Sequence, residues 1–237
     1  MEGIHPTTGV PARWSLDPDE TLGLIFWTRM PENLLRSAAN LACYRVKVHM
    51  TVTGWEEVEH GAPGLEEGAQ WLRRAVETFG AENVTWRFSP VPLVPDVQER
   101  FGRILETAAG VGLKSVYLSF LQANDKVPET RDHWEQRELL RALGERAAQQ
   151  GVQVRLCQEA RKDDSGQVWR SAVCAPPEDW QRKPSSEGCG CVHMVDPFTV
   201  NEACVFRCAY CYTANSASYP HKRNTTKHTR LPVLNGG

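Results

Sequence analysis

The chain has no long apolar run, no excess of charge of one sign, and almost no cysteine in its first two thirds. Each scarcity excludes something. Nothing in the 237 residues approaches the ~18 consecutive apolar residues of a membrane span, and Met1-Glu-Gly-Ile-His-Pro lacks a basic stretch followed by an apolar one. The expectation is a soluble, cytoplasmic protein with no membrane partner. A formal net charge of -2 with 24% charged residues argues against a chain that binds polyanions along its whole length. Of eight cysteines, Cys43 stands alone and the other seven fall between Cys157 and Cys211. In a chain this large without a signal segment, that crowding points to metal or cluster chemistry rather than a disulfide framework.

What is present is a regular alternation of strand-like and helix-like stretches. Residues 1–21 carry turn chemistry (Pro6, Gly9, Pro11, Asp17-Pro-Asp) and are expected to form an irregular lead-in. Strand-like runs follow at Leu22–Thr28, Tyr44–Thr53, Asn83–Phe88, Ser115–Leu121 and Val152–Cys157. Between them, apolar residues recur at helical spacing: Leu34, Leu35, Ala38, Ala39 and Ala42; Leu65, Ala69, Leu72, Val76 and Phe79; Val97, Phe101, Ile104, Leu105 and Ala108; Trp134, Leu139, Leu140, Leu143 and Ala147. Asp96 is placed to cap the third of these helices. Five βα-type units in succession predict an α/β fold, a partial (β/α) barrel with about five or six parallel strands over residues 22–160. A cysteine-rich irregular region, 161–214, and a basic tail, 215–237, follow it.

In such sheets the ligand sits beyond the carboxyl ends of the strands. Small polar residues such as Thr51 and Ser89 are common there. Arg29 and Arg87 stand out because each lies beside a tryptophan, Trp27 or Trp86, in an otherwise apolar run, and they are the candidate catalytic residues. The tail contains Lys222, Arg223, Lys227 and Arg230 and no acidic residue. It reads as a solvated end or as an arm that contacts the phosphates of a nucleic acid.

Cys204, Cys208 and Cys211 are spaced C-x3-C-x2-C, with Tyr210 before the last. Three thiolates in one loop are one short of a closed zinc site or an ordinary four-iron cluster. They suggest a cluster with one iron open to a ligand that is not cysteine. Upstream, Cys157, Cys174, Cys189 and Cys191 fit a second iron-sulfur cluster or a structural zinc, although buried free cysteine is also common. Cys43 reads as core, and His193 is a candidate ligand or proton donor.

Cys204-x3-Cys208-Ala-Tyr210-Cys211 resembles the signature of the radical S-adenosylmethionine superfamily, in the version of its spore photoproduct lyase-like branch. The resemblance implies a [4Fe-4S] cluster whose fourth iron is chelated by S-adenosylmethionine, reductive cleavage of that cofactor, and a reductant such as a flavodoxin or ferredoxin. It also implies that Tyr210 contacts the cofactor's adenine. A second similarity runs from about Ser15 to Ala214. Leu24-Ile-Phe-Trp-Thr-Arg-Met-Pro, His49-Met-Thr-Val-Thr-Gly, Val84-Thr-Trp-Arg-Phe-Ser-Pro and Gly188-Cys-Gly-Cys-Val-His-Met-Val-Asp resemble the bacterial family called domain of unknown function 1848, in which the cysteine loop also follows the strands. That family opens with an additional strand and a Ser-Arg-x-Thr-Asp-Ile-Pro-like segment that this sequence lacks. The expectation is a truncated start or a smaller, more open barrel that a protein partner or the substrate completes. The wider superfamily also carries a glycine-rich segment after its second strand, whereas here only Gly54 follows.

Two functions are compatible with these residues. One is a radical S-adenosylmethionine enzyme acting on an unknown substrate, with a phosphate-bearing molecule or nucleic acid compatible with the arginines and the tail. The other is a non-catalytic iron-sulfur or zinc module serving structure, electron transfer or redox sensing in a complex.

Overall fold

A computed structural model describes residues 2–4, 11–13, 15–121, 132–156, 169–182, 190–192, 206 and 208–211. The lead-in holds a short antiparallel pair, β1 (Glu2–Ile4) and β2 (Pro11–Arg13), where an irregular stretch was expected. Three residues per strand leave too little alternation to read from sequence.

The main sheet has six strands, all parallel, in sequential order: β3 (Leu24–Thr28), β4 (Val46–Thr51), β5 (Val84–Phe88), β6 (Ser115–Leu118), β7 (Gln153–Leu156) and β8 (Trp169–Ser171). The connections contain α1 (Glu32–Arg36), α2 (Leu65–Phe79), α3 (Val97–Gly110) and α4 (His133–Gln149). This is the α/β architecture predicted from the alternating periods. The sixth strand lies inside the region expected to be irregular, so the sheet continues past residue 160. β8 is only three residues long, and its order comes from pairing with β7 rather than from any local pattern.

Every strand from β4 to β7 puts one face against the helices. Val46, Val48 and Met50, Val84, Trp86 and Phe88, Val116 and Leu118, and Val154 and Leu156 are all buried there. They meet Leu65, Leu72 and Val76 of α2, Phe101, Ile104, Leu105 and Ala108 of α3, and Leu139, Leu143 and Ala147 of α4 in one core. Those are helix positions that the 3.6-residue period selects. Phe101 stacks on Trp86 and meets Phe88 edge-on, with ring centroids 5.2 Å away in both pairs. Trp134 is an exception, exposed at the start of α4.

Local details depart from the sequence reading in three places. The helix after β3 breaks at Ser37, where the chain tightens into a 3-10 turn over Ala38–Leu41. Asp96 sits at the N-cap of α3, but its side chain makes no cap bond and pairs with Arg100 at 2.9 Å instead. A capping box does begin α4, with Asp132 accepting from the Glu135 amide at 2.8 Å.

The opposite, inner face of the sheet carries the alternate residues Lys47, His49, Thr85, Arg87, Ser115, Tyr117 and Arg155. Parallel register aligns Thr51, Arg87, Tyr117, Arg155 and Arg170 in one row across β4 to β8. The segment after β8, with its short helix α5 (Pro177–Trp180), crosses this face. Trp180 lies so close to Gly23 that a Cβ there would approach its ring to 2.3 Å, and Asp179 pairs with Lys47 at 3.2 Å. Thus α5 reaches back from the β8 edge to the β3–β4 edge, and together they make a partial barrel.

Candidate functional site

The chemistry gathers just beyond the carboxyl ends of β3 and β4. Arg29 follows β3 immediately. After β4 the chain turns through Gly54, whose φ of +64° favours glycine and whose missing Cβ would meet Leu65 at 2.9 Å. That turn folds residues 55–61 back over the strand end and buries Glu59 to 3% exposure. The Glu59 carboxylate accepts from Arg29 Nη1 at 2.7 Å, from Thr53 Oγ1 at 2.6 Å and from the Tyr210 hydroxyl. Arg29 Nη2 in turn donates to the Tyr210 oxygen. The four side chains form a closed polar knot in which each buried group has a partner.

Tyr210 brings the cysteine loop to this knot. Its ring stacks on Trp55 with centroids 5.4 Å apart, and it joins the main core. Two backbone hydrogen bonds fasten the loop to the same turn, Ala209 N to Val58 O at 2.8 Å and Gly61 N to Phe206 O at 3.0 Å. Cys208 and Cys211 occupy one turn, closed by Cys211 N to Cys208 O at 3.0 Å. Cys204, the third cysteine of the motif, lies outside the described residues.

The electrostatics follow from this burial. Burial opposes the Arg29 charge, but the adjacent Glu59 carboxylate outweighs it and holds the guanidinium above its ordinary pKa. Burial, then the same carboxylate, pushes the Tyr210 hydroxyl up, so it stays protonated and donates. The Cys208 thiol is raised mainly by burial, against the pull of Arg29.

The second cysteine set is brought to the inner face. Arg87 Nη1 approaches Cys174 Sγ at 3.0 Å, and the Cys174 amide donates to Cys191 Sγ at 3.2 Å. His49 Nε2 donates to the Cys174 carbonyl at 2.9 Å, while the Tyr117 hydroxyl donates to the Val173 carbonyl at 3.1 Å. These contacts tie residues 173–174 across β4, β5 and β6. Cys157 and Cys189, the other two of the set, and His193 lie outside the described residues, as do residues 212–237 with the basic tail. Among the described residues, no three of His, Cys, Asp and Glu are grouped to hold a metal. Cys43, expected in the core, is exposed beside the 3-10 turn, with its Sγ 3.8 Å from the Asn40 carbonyl oxygen.

Both arginines singled out from sequence thus meet a cysteine segment, Arg29 through Tyr210 and Arg87 through Cys174. Sequence reading missed Glu59 and Trp55. A glutamate in a polar link gives no local sign that folding will bury it.

Comparison with known proteins adds little chemistry. A family model described as "Domain of unknown function (DUF1848)" matches residues 5–213. No curated protein matches this chain. A solved structure, "Crystal Structure of Xylose isomerase domain protein from Planctomyces limnophilus", aligns with 14% identity and a TM-score of 0.33, over 58% of this chain and 55% of that one. The chain therefore spans about half the length of that protein. No helix of the described residues is long and apolar enough to cross a membrane.

Proposed function

We propose, from the premise that this chain belongs to the DUF1848 family, that it is a radical S-adenosylmethionine enzyme whose three-cysteine loop closes a cavity at the carboxyl ends of the sheet. The observation that carries this reading is the anchoring of the Cys208–Cys211 turn, through Tyr210, to the Arg29–Glu59 pair at the strand ends. Substrate sites of parallel sheets occupy that end, so the motif resembling a cluster loop is fastened beside it.

The residues suit the group they would hold. Cys208 and Cys211 lie on one turn, partly shielded and not bonded to each other, and metal binding would take the proton from each thiol. Cys204, Cys208 and Cys211 would ligate a [4Fe-4S] cluster, and S-adenosylmethionine would complete it. When bound, the cluster supplies the electron for reductive cleavage of that cofactor.

The chain's own residues have separate tasks. Glu59 and Arg29 hold the Tyr210 hydroxyl, Trp55 holds its ring, and together they fix where the loop sits. Tyr210 therefore acts first as an anchor, and an adenine contact at this residue is an additional role. Arg29 gives two of its donors to the knot, so any substrate contact from it uses what remains. Arg87 orients Cys174, and a second cluster or zinc at Cys157, Cys174, Cys189 and Cys191 belongs to the same proposal. A phosphate-bearing substrate or nucleic acid, and a flavodoxin-like or ferredoxin-like reductant, complete it.

The test is anaerobic reconstitution with iron and sulfide, reduction, and assay for 5'-deoxyadenosine formed from S-adenosylmethionine. The product is expected from the wild type and not from a Cys204/Cys208/Cys211 triple alanine variant. A fully loaded, reduced protein that makes none leaves the non-catalytic iron-sulfur module as the reading. Iron remaining in the triple variant reports the second site.

A further inference from the structure

The segment after β8 is held over the sheet in a different way from the helices on the sheet's other side. α2, α3 and α4 pack into one continuous core, whereas Ala175, Trp180, Cys191 and Val192 form a small separate cluster, to which the sheet contributes Ile25 of β3. Beneath the segment a cavity of about 430 Å3 lies against Lys47, His49, Ser115, Tyr117 and Arg155. Side chains do not fill that space, so along its middle the segment lacks the close packing that fastens a helix to a sheet.

What ties it down is mostly polar and acts at a few points. At the β8 end the Ala172 amide donates to the Leu156 carbonyl at 2.7 Å. In the middle Tyr117 and His49 donate to the Val173 and Cys174 carbonyls, and Arg87 meets the Cys174 sulfur. At the far end Asp179 pairs with Lys47 at 3.2 Å and approaches Arg45 at 3.9 Å, while the Arg45 guanidinium lies 5.2 Å from the Trp180 ring centroid. Trp180 rests where a Cβ on Gly23 would stand. The next residue, Gln181, has a φ of +51°, a left-handed conformation that a glutamine keeps only while its surroundings hold it.

A segment with its own small cluster, few ties and open space below it opens at lower free energy than the sheet it covers. Its two ends are unequal. Ala172 continues from β8, whose backbone pairs with β7, so that end stays with the sheet. The other end depends on Asp179 and Trp180. Cys191 and Val192 belong to the same unit, because the Cys174 amide donates to Cys191 Sγ and the Val192 amide donates to the Ala175 carbonyl.

We propose that residues 172–180 are a strap that lifts as a unit, hinged at β8 and latched by Asp179 and Trp180, and that its lifting uncovers His49 and Tyr117 on the inner face of the sheet. With the strap in place these two are 2% and 7% exposed. The device rests on the packing of the strap alone and stands apart from the cluster chemistry of the cysteine loop.

Hydrogen exchange of the full chain as purified, read on peptides by mass spectrometry, tests this. Amides of residues 172–180 and 190–192 are expected to be protected, yet to exchange at least about tenfold faster than those of β5 and β6. Asp179→Asn removes the pairings with Lys47 and Arg45 and should speed strap exchange about two- to fivefold. Trp180→Ala should speed it at least about tenfold, with exchange in β5, β6 and α3 unchanged in both variants. Alkylation of Cys191, which is 6% exposed, should accelerate in step, because its sulfur is reached when the strap lifts. Circular dichroism checks that Trp180→Ala is folded; if it is not, Asp179→Asn decides. The proposal is overturned if the strap amides show no protection, or if they exchange only as slowly as those of β5 and β6. It is equally overturned if the folded variants leave strap exchange and Cys191 alkylation at wild-type rates, or speed exchange across the whole sheet alike.

Discussion

Removing the Glu59 carboxylate should release both the barrel mouth and the cysteine loop. In Glu59→Ala the Arg29 guanidinium, at 13% exposure, loses its ion partner, and the Thr53 and Tyr210 hydroxyls lose their acceptor. Breaking one side of a buried ion pair costs about 3–5 kcal/mol, because the remaining charge stays desolvated. The two hydroxyls can re-aim and add less than their separate values, so about 4 kcal/mol is the expected loss. For a chain of this size that corresponds to a fall in Tm of about 10 °C. A double-mutant cycle sharpens the test. Arg29→Met alone leaves the carboxylate unpaired and should cost a similar amount, whereas the double variant should lose much less than the sum, with a coupling of about 2–3 kcal/mol. Urea unfolding of the four proteins measures this. Additive losses, or a Glu59→Ala loss under about 1 kcal/mol, would show that the knot is not a coupled buried network. Iron content after reconstitution reads the same event at the loop: Tyr210→Phe, which keeps the Trp55 stack, should retain more iron than Glu59→Ala.

Three further outcomes follow from the packing and the titrations. Because the His49 pKa is depressed to about 4 in the fold against an ordinary 6.5, the unfolded chain takes up that proton first, and stability should fall as pH drops from about 6.5 to 4. The full contribution is about 3 kcal/mol, and His49→Leu should flatten that part of the urea-midpoint profile; an unchanged slope refutes it. Phe101→Ala empties the space between Trp86 and Phe88 and should cost about 3–5 kcal/mol in urea unfolding; a loss below about 1.5 kcal/mol would mean the aromatic cluster collapses freely. Gly23→Ala should destabilise, since its Cβ would meet the Trp180 ring at 2.3 Å and the Arg45 carbonyl at 2.5 Å. Gly110→Ala, at the last residue of α3 with nothing within 4 Å, should instead be neutral or stabilise by up to about 1 kcal/mol; thermal melts that rank the two the other way overturn the close approach of α5 to β3.

By itself the sequence determined the α/β layering. Strand and helix periods are local, so the runs ending at Thr28, Phe88 and Cys157, and the faces built on Leu72, Phe101 and Leu143, could be read without partners. It also marked Arg29, Arg87 and Tyr210, because charge or an aromatic in such surroundings is conspicuous along the chain. Tertiary structure decided the rest. Glu59 becomes a site residue only when the turn at Gly54 folds it over the strand end, and Thr53 and Trp55 gain their roles from the same turn. β8 exists because β7 offers a hydrogen-bonding edge, and α5 finds its place because Gly23 leaves room for Trp180. Which arginine meets which cysteine segment depends on pairings 87 and 181 residues apart in the chain. No local pattern encodes contacts at that separation, because they are set by the register of the sheet and by what its two faces must bury.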